Sequence, residues 1–106
     1  MAQQFVQTKI TGGKVVVFLK PTCPYCVMAQ QVFSEYKFKP GHLECVDISG
    51  HSDMGKIQDY FMELTGARTV PRVFIGDKCV GGGSDVADLH ESGELKNMLL
   101  SIGALQ

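Results

Sequence analysis

The chain has 106 residues, 44% of them hydrophobic and 20% charged, with a net charge of −1. That length fits one domain over residues 1–106, large enough to bury a core without metals or disulfides to hold it. The near-neutral balance speaks against nucleic acid or an anionic membrane as the main partner. No run of about 18 apolar residues is present to cross a bilayer, and Met1-Ala2-Gln3-Gln4-Phe5 does not read as a secretory signal.

The predicted elements are short and alternate in type. Gln3 to Ile10 is a first helix with Phe5 and Val6 inward, ended by Thr11-Gly12-Gly13. Lys14 to Leu19 is a β-branched apolar run, the pattern of a central strand buried on both faces. Pro24 to Tyr36 follows as a helix, with Cys26, Ala29, Phe33 and Tyr36 at helical spacing. Leu43 to Ile48 alternates as a second strand, in which Cys45 is expected to face the core. Ile57, Tyr60, Phe61 and Leu64 form one helical stripe that Gly66 closes. Arg72 to Ile75 and Lys78 to Val80 form a hairpin around Gly76-Asp77, the second strand antiparallel to the first. Gly81-Gly82-Gly83 leads into a helix over 84–91. After Ser92-Gly93 a last helix carries Leu95, Met98, Leu99 and Ile102 inward. The expected architecture is α/β, a mixed four-stranded sheet with helices on both faces.

Four cysteines occur, at 23, 26, 45 and 79, one close pair and two scattered. Small secreted disulfide proteins carry a denser set, so a reducing, cytoplasmic setting is expected, with the pair performing chemistry. The pair sits in Thr22-Cys23-Pro24-Tyr25-Cys26, between the buried strand and the following helix. Proline favours the first helical position, which makes Cys23 the N-cap. Its sulfur is then expected to face the free N–H groups of Tyr25 and Cys26, at the positive end of the helix dipole and near Lys20. All three effects favour the thiolate, the reactive form. Cys26, one turn inward on the apolar face, is placed to resolve a mixed disulfide formed at Cys23. Zinc would need two further ligands, and no histidine pair stands at ligand spacing. A merely structural pair has no reason to straddle an N1 proline. His42, His51 and His90 form no catalytic or metal arrangement and are expected at the surface. The 76–83 segment lacks the lysine of a phosphate-binding loop.

Three motifs in order, Lys20-Pro21-Thr22-Cys23-Pro24-Tyr25-Cys26, Thr69-Val70-Pro71 and Gly81-Gly82-Gly83-Ser84-Asp85, make the chain resemble the glutaredoxins, most nearly the vertebrate cytosolic dithiol form. The resemblance covers nearly the whole chain and implies a thioredoxin-like fold, in agreement with the element order. It implies reduction of glutathione–protein mixed disulfides by Cys23 alone, and of some protein disulfides by Cys23 with Cys26. Glutathione then regenerates the thiols as co-substrate, with no permanently bound cofactor and no metal. Carried over position by position, Tyr25 flanks the nucleophile. Val70 offers its backbone to the cysteinyl part of glutathione beside a cis Pro71. Lys20, Gln58 and Arg68 surround the glycyl carboxylate, Ser84 and Asp85 hold the γ-glutamyl end, and Thr69 and Gly82 complete the set. A tripeptide with two carboxylates and one ammonium suits two cations, Lys20 and Arg68, and one anion, Asp85. The implied partners are glutathione, glutathionylated proteins and disulfide-bearing proteins, with the chain a monomer.

The sequence departs from the vertebrate forms at Thr8 and Gly83, where they often carry cysteine, so regulation through those thiols is not expected. Two alternatives stay open. A [2Fe–2S] carrier is opposed by the stiff Pro24 between the cysteines. A reductant fed by thioredoxin reductase is opposed by the absence of tryptophan beside them.

Overall fold

Helix α1 (Ala2–Lys9) opens the computed structural model, which describes residues 2–106. Only Val6 of this helix is fully buried, while Phe5 stacks half-buried against His51. Strand β1 (Val15–Leu19) is buried at every position, as its unbroken apolar run predicts. Alternate residues point to opposite faces of a strand, so β1 feeds two cores. Val15, Val17 and Leu19 join one; Val16 and Phe18 join the other.

Helix α2 (Pro24–Phe33) and strand β2 (Leu43–Asp47) come next. They are followed by helix α3 (Met54–Thr65) and the hairpin of β3 (Arg72–Ile75) and β4 (Lys78–Gly81). Helices α4 (Gly83–Ser92) and α5 (Glu94–Ser101) complete the chain. The strand order is β2-β1-β3-β4, with β1 parallel to β2 and antiparallel to β3, and β3 antiparallel to β4. Val6, Ile57 and Phe61 of α1 and α3 cover one face, where Phe18 packs against Phe61 and Phe74. Residues of α2, α4 and α5 cover the other. The mixed sheet with helices on both faces is therefore as expected. No helix among the described residues is long and apolar enough to cross a membrane.

Three side chains depart from the expected pattern. Cys45 is exposed, not core: β2 is an edge strand, and the thiol meets Gln30 on the exposed side of α2. Tyr36 lies beyond α2, because the chain after Phe33 tightens through bonds from Glu35 N–H to Val32 O and from Tyr36 N–H to Phe33 O. That turn brings the Tyr36 hydroxyl to Nδ1 of His90, 2.6 Å away; His90, like His42 and His51, stays partly exposed, as expected. Leu64 is 45% exposed on the last turn of α3.

Candidate active site

Three segments meet where β1 ends. In the first, Cys23 N–H donates to Lys20 O at 3.2 Å, a tight turn that places Pro24 at the head of α2. Cys23 is the N-cap in extended conformation, as predicted, but its sulfur makes no cap hydrogen bond. The protonated thiol instead points to the facing loop and donates to Val70 O at 3.6 Å. Its pKa is still lowered. Burial opposes the thiolate, but the adjoining Cys26 thiol, the N–H dipoles of Cys26 and Tyr25 and the Lys20 charge together outweigh it. Cys26 is fully buried on the inner face of α2. Burial pushes it up to about 11, and the Cys23 sulfur adds to the rise against the Lys20 N–H, which donates to Cys26 Sγ at 3.5 Å. One turn of helix thus separates an acidified thiol from a suppressed one.

The second segment leaves α3 through Gly66, whose φ of 83° lets the chain turn back. It reaches β3 through a cis Val70–Pro71 peptide bond. Gln58, buried on α3, ties this loop to the first segment: its Nε2 donates to Arg68 O at 3.0 Å, and its Oε1 accepts from Lys20 Nζ at 3.5 Å. Lys20, Gln58 and the backbone at 68 are therefore brought together. The Arg68 guanidinium is turned along α3 to Asp59, 3.2 Å away on the exposed side.

The third segment is the glycine turn before α4. The Asp85 carboxylate reaches back to accept from Gly82 N–H at 2.8 Å, and folds over Gly81, where it occupies the space a side chain would need; the φ of 114° there favours glycine as well. A Cβ on Gly83 would lie 2.5 Å from Tyr25 O. The bare glycine is what lets α4 start directly against α2. Tyr25, Thr69, Val70, Pro71, Gly82, Ser84 and Asp85, seven of the predicted binding residues, line one groove of about 320 Å³. Arg72 and Gly83 line it too, and the sequence reading missed both. The signals were a lone charge at the head of an apolar strand and the last glycine of a run. A hollow of about 350 Å³ between α1 and α3 contains no cysteine. No group of three potential metal ligands occurs among the described residues.

The family model for glutaredoxin matches residues 15–80. The chain belongs to the glutaredoxin family. It is 59% identical over 106 residues to Glutaredoxin-1 of Homo sapiens and 58% identical to that of Bos taurus, with all of both chains covered in each case. A solved buckwheat glutaredoxin–glutathione complex matches with a TM-score of 0.90 at 35% identity, covering 100% of this chain and 94% of that one. The thioredoxin-like fold implied by the motifs is thereby established. So is the activity: this family member is a glutathione-dependent thiol–disulfide oxidoreductase.

Proposed function

We propose that Cys23 is the nucleophile and Cys26 the resolving thiol, and that the groove beside them holds glutathione. The observation that carries this is the contrast between the two thiols, one lowered and turned to the carbonyl of Val70 on the groove wall, the other buried and pushed up to about 11. The Cys23 thiolate attacks the glutathione sulfur of a glutathionylated protein. The Cys23–glutathione disulfide forms, and the protein sulfur leaves and takes a proton. A second glutathione thiolate then attacks the bound glutathione sulfur, releasing oxidised glutathione and restoring the Cys23 thiolate. With a protein disulfide, Cys23 attacks one sulfur and Cys26 then displaces the protein from Cys23. That step leaves a Cys23–Cys26 disulfide for two glutathiones to reduce.

In this reading Val70 lies along the cysteinyl part of glutathione as an added strand would. The Val70 carbonyl, already 3.6 Å from the Cys23 sulfur, supports that placement. Lys20, Gln58 and Arg68 receive the glycyl carboxylate; the Gln58 link from Lys20 Nζ to Arg68 O supports the grouping of Lys20 with this loop, and the Arg68 guanidinium has to leave Asp59 to join them. Tyr25 and Thr69 flank the tripeptide and Pro71 backs it. Gly82, Ser84 and Asp85 receive the γ-glutamyl end. Glutathione is a co-substrate and no cofactor is held permanently. The protein works as a monomer on glutathionylated and disulfide-bearing proteins. A reducing, cytoplasmic setting belongs to the same proposal, since it keeps the exposed Cys45 thiol reduced.

Two serine variants test the assignment. Cys23→Ser abolishes all turnover. Cys26→Ser keeps most activity on a small glutathione mixed disulfide, followed by NADPH consumption through glutathione reductase, but loses most reduction of protein disulfides. Equal loss of both activities in Cys26→Ser refutes the division of roles.

A further inference from the structure

Arg72 is a buried cation with no carboxylate of the described residues within 4.0 Å. The side chain is 8% exposed. Its Nε donates to Pro71 O at 3.3 Å and its Nη1 to Thr65 Oγ1 at 3.4 Å. Nη2 has no hydrogen-bond partner among the described residues, and none of their ion pairs includes Arg72. A charge taken out of water normally faces an opposite charge. The two bonds that exist hold the guanidinium plane fixed, so Nη2 is aimed before any ligand arrives.

Gly82 shows where it is aimed. A carbon placed as the side chain of Gly82 would stand 3.3 Å from Arg72 Nη2, 3.5 Å from Pro71 O and 4.0 Å from Asp85 Oδ2. Because glycine carries no side chain, the groove in front of its Cα stays open on the side bounded by a cation, a neutral acceptor and an anion. An α-amino-acid head carries a carboxylate and an ammonium on one carbon, and matches these walls in both signs.

We propose that Arg72 determines specificity for the γ-glutamyl end of the substrate, its Nη2 binding the α-carboxylate while Asp85 and the Pro71 carbonyl take the ammonium. The proposal rests on the glutathione groove described above and adds a side-chain cation to it. Charge-assisted hydrogen bonds of this kind change affinity by roughly tenfold to a hundredfold.

The test uses two mixed disulfides, one of glutathione and one of glutathione with its γ-glutamyl α-carboxylate converted to the amide. Wild-type protein should show a KM about tenfold or more higher for the amide, with kcat little changed. Arg72→Gln should raise KM for the glutathione substrate by a similar factor and leave KM for the amide nearly as it was. Arg72→Lys should recover part of the loss. Equal KM increases on both substrates in Arg72→Gln would mean a purely structural role and overturn the assignment. Wild-type protein that treats acid and amide alike would also overturn it, without needing any variant to fold. A cysteamine mixed disulfide is the control for the groove itself. If wild type turns it over as efficiently as the glutathione substrate, the glutathione reading fails and the Arg72 proposal with it.

Discussion

Cys23 and Cys26 are identical in chemistry and differ only in place. Cys23 caps a helix with polar N–H groups and Lys20 close by, and Cys26 is sealed into the core. Alkylation of Cys23 by iodoacetamide should therefore stay fast as pH falls below the usual thiol value of about 8.5, because the lowered group keeps its thiolate there. Cys26 should remain nearly inert until strongly alkaline pH. Mass spectrometry of the labelled peptides across pH checks this, and a Cys23 profile like that of free cysteine would remove the acidification. These placements were legible in the sequence because a proline at N1 fixes the cap. Arg72 was not legible: its meaning depends on Thr65 and Gly82, which lie seven and ten positions away and meet it only in the folded chain.

Helix α4 does two jobs at its first turn. Asp85 accepts from Gly82 N–H and so ties the glycine turn to the helix. It also faces the groove as the proposed ammonium acceptor. Asp85→Asn keeps the shape and loses the charge. It should raise KM for the glutathione mixed disulfide about tenfold to a hundredfold. It should lower the melting temperature only slightly, since a first-turn carboxylate contributes about 0.3–1 kcal/mol. Cys23 alkylation should be unchanged. Kinetics and melting measured on one sample decide the matter, and a lowered melting temperature with intact kinetics would leave Asp85 a capping residue alone. The start of α2 at Pro24 and the Gly66 stop were readable from local chemistry. The end of α2 was not: Ser34 to Tyr36 lack a glycine or proline, and the helix ends instead by tightening into shorter-range bonds. The side chain of Cys45 was misjudged for a related reason. Alternation tells which face a residue takes, but not that its strand lies at the sheet edge, beyond the apolar cover of α2.

Across the whole molecule, the site adjoins one core and stands clear of the other. Cys26 belongs to the core under α2, with Cys23 and Val70 packed against it, whereas the aromatic core under α1 and α3 contains neither thiol. Phe18 packs against Phe61 and Phe74 at ring separations of 5.1 and 5.9 Å, on the face away from α2. Phe18→Ala should cost about 3–5 kcal/mol of stability, read by urea denaturation. Cys23 should still label at its normal rate in the folded protein, and a slowed rate there would mean that core and site are coupled. The opposite placement of the two thiols also gives the fold a pH dependence of its own. Cys23 ionises more readily folded than unfolded, so its contribution to stability is present above the unfolded thiol value and fades as pH falls through the folded one. Cys26 holds its proton more tightly folded, so its contribution is full below the unfolded value of about 8.5 and drains away as pH climbs toward about 11. Between these values the reduced protein should grow weaker with rising alkalinity, and Cys26→Ser, compared with it by urea midpoints at successive pH values, should lose much of that decline. The thiol proposed to resolve the mixed disulfide thus also sets an alkaline limit on the stability of the reduced fold.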